Sequence, residues 1–300
     1  MLLVRPAHTG TLSSRRVTRD YEVIVAGGGV AGLTAGLTAA RLGRKTLVLT
    51  GGAPGGLLLS IEQVEGFPGF PDGVPGYELC PLLEEQAAAA GTEFAPDEAG
   101  RLERENGGWQ VDGRTAAAVV VATGARLKEL GVPGEERLRG RGVSHCATCD
   151  APLLRDKVVA VVGGGDSALQ EALTLAGLAA QVVVLQRERE LTAQASYRER
   201  VLGHPGIDVR CSTIVEEILG GEHVEGVRLG DGSELSLAGV FVYVGLQPNS
   251  ELLDGVPDDD RLGLFPAGIV REGAAGRAAA AAGEGAAAAI AADRYLTNGA

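Results

Sequence analysis

Two cysteines stand two residues apart in "SHCATCDAP", Ser144 to Pro152, and an acid follows them at once. Cys146, Cys149 and Asp150 admit three readings: half of a zinc site, a structural oddity, or a dithiol–disulfide couple. A zinc site needs two further ligands at short spacing. The chain has no second CxxC, Cys80 and Cys211 stand alone, and His145 adjoins Cys146 instead of following it at ligand spacing. No metal is therefore expected, and the pair reads as a redox couple. Breaking a disulfide delivers protons to leaving thiolates, a task for which Asp150 is suitably placed; its bland role is a helix N-cap. Cys80 and Cys211 read as small apolar residues.

A redox couple needs a source of electrons, and two glycine clusters supply sites for one. "YEVIVAGGGVAGLTAGLTAARLGRKTLVLT", Tyr21 to Thr50, reads as strand, turn, helix and strand. Gly27 permits the tight turn, Gly29 lets a pyrophosphate approach the backbone, and Gly32 lets the helix pack on the strand. "KVVAVVGGGDSALQEALTLAGLAAQVVVLQRER", Lys157 to Arg189, repeats this grammar with Gly163, Gly165 and, in the third place, Ala168. Two such units make an α/β protein with two Rossmann-like dinucleotide-binding domains. The acid expected at the end of each second strand is missing. Thr50 stands there in the first unit; Gln186-Arg187-Glu188-Arg189 follows in the second, where Arg187 suits a 2′-phosphate and Glu188 opposes it. A solvated charge run is an equally fair reading of those residues.

Between the units, "AAAVVVATGARLKELGVPGE" reads as a buried strand through Val121 and a turn-rich link, where the first domain boundary is placed. "EHVEGVRLGDGSELSLAGVFVYVG" reads as a hairpin turning at Asp231-Gly232 and then a strand, "LQPNSEL" as the return link, and the Ala-rich C-terminal segment as a closing helix.

The 300 residues, 45% hydrophobic, suffice for two domains, and the net charge of −12 without a long basic run argues against nucleic-acid or membrane partners. Residues 1–20 read as a flexible extension without a signal-peptide core. No uninterrupted apolar run of about 18 residues is present. Few and unevenly placed cysteines point to a reducing, cytoplasmic setting.

On these residues the chain resembles the low-molecular-weight thioredoxin reductases. The resemblance runs from Tyr21 to Leu296; its most specific signature is "GVSHCATCD", joined by "TGGAPGG", "VEGFPGFPDGVPGYEL", "VATGA", "GVPGE", "FVYVGLQPN" and "AAGEGAAAA". It implies a homodimeric flavoprotein in which the second domain, residues 126–245, is inserted into an FAD domain made of residues 21–125 and 246–300. It implies that Cys149 faces the flavin, Cys146 attacks the substrate disulfide and Asp150 is the acid/base. FAD would be held by Gly27, Gly29 and Gly32, by Thr50, Gly51, Gly55 and Gly56, by Ala122, Thr123 and Gly124, and by Gly268 and Arg277. NADPH or NADH would be held by Gly163, Gly165, Asp166, Ser167, Ala168 and Arg187. The partner implied is a thioredoxin-like protein or a small disulfide. Nicotinamide and disulfide cannot both occupy the flavin's face, so rotation about links near Gly124 and Gly245 is expected, as in that family.

The chain also departs from the family. Ile269 stands where an Asp normally meets the ribityl chain, Leu57 replaces a Gln and Gly66 an Asn. Roughly fifteen to twenty residues that usually carry a strand are missing between Leu253 and Leu264, and of the basic cluster for a 2′-phosphate only Arg187 keeps its place. Weakened FAD binding is expected. Two alternatives stay open: an oxygen-dependent dithiol oxidase that uses no nicotinamide, and a non-catalytic paralogue that binds a nucleotide or a partner.

Overall fold

The computed structural model describes residues 19–299. The extension assigned to residues 1–20 lies mostly outside them. Its last residue, Asp20, is tied down, because its carboxylate accepts the Thr115 backbone N–H at 2.9 Å.

The first unit begins as the glycine grammar demands. β1 (Tyr21–Ala26) leads into α1 (Val30–Arg41), and β2 (Thr46–Leu49) returns parallel to β1. After α2 (Gly76–Ala89), the strands β3 (Glu93–Ala95), β4 (Leu102–Glu105), β5 (Gly108–Val111) and β6 (Arg114–Val121) complete a sheet ordered β3-β2-β1-β6-β5-β4. β1 and β6 are runs of Val, Ile and Ala buried on both faces, as parallel strands under helices must be. A seventh strand, β17 (Leu264–Pro266), joins from far along the chain and pairs in parallel with the end of β6. α6 (Ala278–Thr297) then packs on α1. In the shortened stretch between Leu253 and Leu264, Asp258–Asp260 forms one short 3₁₀ turn.

The chain leaves this sheet through β7 (Ala125–Leu127) and enters the second one with β8 (Val143–Ser144) and the short helix α3 (Ala147–Asp150). There β9 (Val158–Val162), α4 (Asp166–Ala176) and β10 (Gln181–Leu185) repeat the βαβ unit. α5 (Ala195–Leu202), β11 (Ile207–Arg210) and β15 (Gly239–Val242) close a sheet ordered β11-β10-β9-β15-β8. A meander of β12 (Val215–Leu219), β13 (Gly226–Leu229) and β14 (Glu234–Ser236) covers its other side, with the predicted turn between the last two strands.

The return segment differs from its reading as a plain link. Leu246–Pro248 is a strand, β16, paired antiparallel with β7, so the two connections between the sheets form one hydrogen-bonded ribbon. Backbone groups of two crossing chains that run side by side satisfy each other when no sheet is near. Among the described residues, no helix is long and apolar enough to cross a membrane.

Candidate functional site: a glycine-cradled cavity and a surface disulfide

The site is built around the turn between β1 and α1. Gly27 has φ +114°, and a Cβ there would lie 2.2 Å from the Ala122 carbonyl oxygen, so the turn closes on β6 only as glycine. A Cβ on Gly32 would lie 1.8 Å from the Gly27 carbonyl oxygen; its absence lets α1 sit down on β1. Gly29, by contrast, has nothing within 4 Å of its Cβ position and leaves the N-terminus of α1 open to a ligand.

That open end faces a cavity of about 850 Å³. Gly27, Gly29, Thr50, Gly51, Gly55, Gly56, Ala122, Thr123, Gly124, Gly268 and Arg277 all line it, which brings together every predicted FAD residue except the packing glycine Gly32. Ile269 lines it too. A carboxylate comes to the same wall from α6: Glu284 accepts the Gly268 N–H at 2.9 Å and pairs with Arg271 at 3.1 Å. Glu284 was not singled out by the sequence reading. Thr50 donates its hydroxyl to the Gly52 carbonyl at 2.7 Å, which fixes the loop after β2. An open helix N-terminus, a glycine cradle and a cavity of this size fit a dinucleotide such as FAD.

The opposite wall comes from the second sheet. Of the predicted nicotinamide residues, Ser167 lines the cavity, joined by His145, weighed in the sequence only as a zinc ligand, and by Gln170, Glu171 and Tyr243, which the sequence reading passed over. Gly163, Gly165, Asp166, Ala168 and Arg187 do not line it. Gly163 (φ +132°) packs its turn on the Tyr243 carbonyl, and Ala168 is fully buried beneath that turn. Arg187 pairs with Glu188 at 3.1 Å on an exposed edge, so the acid that opposes a 2′-phosphate also occupies the guanidinium. Asp166 receives the Gln194 N–H at 2.7 Å and the Arg277 guanidinium at 3.0 Å. Arg277 and Asp166, read as belonging to different cofactors, thus meet across the two units.

Cys146 and Cys149 are disulfide-bonded to each other. Cys146 caps α3, its sulfur accepting the Cys149 N–H at 3.2 Å. Neither cysteine lines the cavity; Cys149 is exposed and Cys146 half-buried, with the exposed Leu153 just beyond. Asp150 ends α3, makes no capping bond with its side chain, and lines a separate recess of about 60 Å³ with Ser144, Leu153 and Leu154. Burial pushes the Cys80 thiol up to about 11, which leaves it inert as a nucleophile.

Two dinucleotide-type units, one bearing a CxxC disulfide, define a class. The chain belongs to the pyridine nucleotide-disulphide oxidoreductase family, whose model matches residues 21–271. Within it, the chain is 38% identical over 300 residues to a thioredoxin reductase of Mycolicibacterium smegmatis, covering 92% of this chain and 96% of that one. The fold is similar to Lactococcus lactis thioredoxin reductase in a structure described as its FR conformation, with TM-score 0.86, 30% identity, and 93% and 99% of the two chains covered. Streptococcus pyogenes thioredoxin reductase superposes at TM-score 0.58, with 32% identity and 93% and 98% coverage.

Proposed function

We propose that the protein is a thioredoxin-reductase-type flavoprotein that moves two electrons from NADPH or NADH, through FAD, to the Cys146–Cys149 disulfide, and from there to a thioredoxin-like protein or a small disulfide. The observation that carries this is the juxtaposition of a glycine-cradled cavity with an exposed disulfide on the unit that closes it. Bound in the cavity, the flavin supplies a carrier between a hydride donor and a dithiol. The balance is NAD(P)H, a proton and a disulfide in, NAD(P)⁺ and a dithiol out.

The chain's own residues do the rest. The open N-terminus of α1 at Gly29 receives the diphosphate, and Ser167 and its neighbours on α4 face the cavity where a nicotinamide must dock. Asp150 serves the leaving thiolate as acid. Cys146 attacks the substrate, and its thiolate is favoured by the Cys149 N–H that its sulfur already accepts. Exposed Leu153 offers an apolar contact to a partner beside the disulfide.

In the present arrangement α4 faces the cavity and the disulfide faces out. Delivering Cys149 to the flavin therefore requires turning the second unit about the β7–β16 ribbon. Equal coverage with unequal superposition, 0.86 against 0.58, is what two units that keep their folds and change their mutual setting produce. Exposed Tyr77 and Leu82 on α2 support a homodimer, which light scattering tests. The free thiols Cys80 and Cys211 support a reducing, cytoplasmic location.

The test is steady-state turnover of the FAD-loaded protein with NADPH and NADH and a thioredoxin as acceptor. Wild type should turn over, while Cys146→Ser and Cys149→Ser should each lose at least about a hundredfold, because the dithiol acts as a unit. Wild-type activity in either variant, or a protein that cannot be reconstituted with flavin, sinks the reading. A second reading is favoured by the Arg187–Glu188 pair, which leaves a 2′-phosphate poorly served: a dithiol oxidase using oxygen. Oxygen consumption with dithiol and no nicotinamide, faster than NADPH-driven disulfide reduction, selects it.

A further inference from the structure

Glu171 is out of place for a carboxylate. On α4 it lies three residues after Ala168 and four before Leu175, both fully buried, and it is itself only 7% exposed. It nonetheless lines the cavity. Its Oε2 accepts the backbone N–H of Ala147 at 3.2 Å, the residue next to Cys146 at the start of α3. One end of the side chain's environment is therefore the cofactor cavity and the other is the redox turn.

We propose that Glu171 is a positioning residue that links the cavity to the redox turn, taking up a proton when Cys146 becomes a thiolate and thereby setting the pH range in which the reduced pair attacks disulfides. This rests on the proposed function. Two electrons from the donor of that reaction break the S–S bond; one proton makes Cys149 a thiol, Cys146 is left as the thiolate, and a second proton from solvent neutralises Glu171. An ionised carboxylate one peptide from Cys146 disfavours a second negative charge there, and neutralising it removes that penalty.

The surroundings fit a carboxyl that changes charge near neutrality. Burial is the largest influence and pushes Glu171 up to about 7, against the Ala147 amide and the Tyr243 hydroxyl, which favour the ionised form. The Tyr243 hydroxyl, buried just beyond β15, has no hydrogen-bond partner among the described residues. Glu62, ahead of α2, adds a repulsive charge; Asp150 acts on Tyr243 from α3. His145, at the start of the turn, is held toward its neutral form chiefly by burial. Glu62 belongs to the first unit, so turning the units apart takes its charge away from Glu171.

The experiment is alkylation of Cys146 by iodoacetamide in the FAD-loaded protein after reduction with dithiothreitol, followed by peptide mass spectrometry across pH. In wild type the rate should climb with pH, flatten near pH 7 as Glu171 ionises and opposes the thiolate, then climb again. Glu171→Gln keeps an acceptor for the Ala147 amide but cannot ionise. It should show one smooth ionisation and react roughly three to ten times faster than wild type at about pH 8. Glu62→Gln should move the flat region to lower pH. Superimposable profiles for wild type and Glu171→Gln overturn the proposal while leaving the redox function standing. A wild-type pair that dithiothreitol cannot reduce overturns both, and the thiol count after reduction tells the two failures apart.

Discussion

Ile269 stands on the cavity wall beside Gly268, whose amide is held by the Glu284 carboxylate. Isoleucine cannot accept a hydroxyl hydrogen bond from a ribityl chain, and a charged hydrogen bond contributes about 1.5 to 3 kcal/mol. Ile269→Asp should therefore tighten FAD by roughly one to two decades, read by fluorescence titration of the flavin-free protein. An unchanged Kd would mean that Glu284 and its neighbours have already rebuilt the contact. On the other unit, Arg187, which we propose meets a 2′-phosphate, is engaged by Glu188 at 3.1 Å. Glu188→Arg should remove the competitor and add a cation, favouring NADPH over NADH by about 1 to 3 kcal/mol in the ratio of kcat/KM values. No change in that ratio would place these side chains away from the ribose.

At the scale of elements, the cavity depends on how closely α6 crosses α1. A Cβ on Gly285 would lie 2.0 Å from the Ala31 carbonyl oxygen, while one on Gly283 meets nothing within 4 Å. Both are helix-interior glycines, so Ala gains up to about 1 kcal/mol of helix propensity at either place. At Gly285 the clash is with backbone and costs about 1–3 kcal/mol or more, which outweighs that gain. Gly285→Ala should lower the Tm and loosen FAD, because α1 carries the open N-terminus at Gly29. Gly283→Ala should leave FAD binding alone and hold or raise the Tm. Equal thermal shifts in the two variants would show that the crossing is not tight.

At the scale of the whole molecule, two ion pairs and one hydrogen bond among the described residues join the units away from the ribbon. Arg200 on α5 meets Glu65 at 2.7 Å, Arg277 meets Asp166 at 3.0 Å, and the Gln170 amide donates to the Gln63 carbonyl. The ion pairs are substantially exposed, so each contributes about 0.2–1 kcal/mol and weakens with salt. Such a contact can bias a rotation without locking it. Arg200→Ala should shift the balance of unit settings by up to about fivefold at low salt, and wild type at high salt should approach the variant. Spin-label distances between the two units, measured across salt, test this; a distribution indifferent to both mutation and salt would assign the setting to other contacts.

Much of this molecule is local and could be read along the chain. Gly27, Gly29 and Gly32 mark a strand, turn and helix because each glycine answers a steric demand within a few residues of itself. The same holds for the second unit and for the CxxC followed by Asp150, while the length and position of α6 follow from its alanines. What the chain alone could not reveal is which groups meet from distant segments. Arg277 and Asp166, 111 positions apart, form one ion pair; Glu171 reads as one more helix residue until folding buries it under α3; and β16 reads as a link because its strand partner, β7, is far upstream. The setting of the two units is of the same kind. It places α4 at the cavity and the disulfide outside through a few exposed contacts between surfaces, and no periodicity within either unit encodes those contacts.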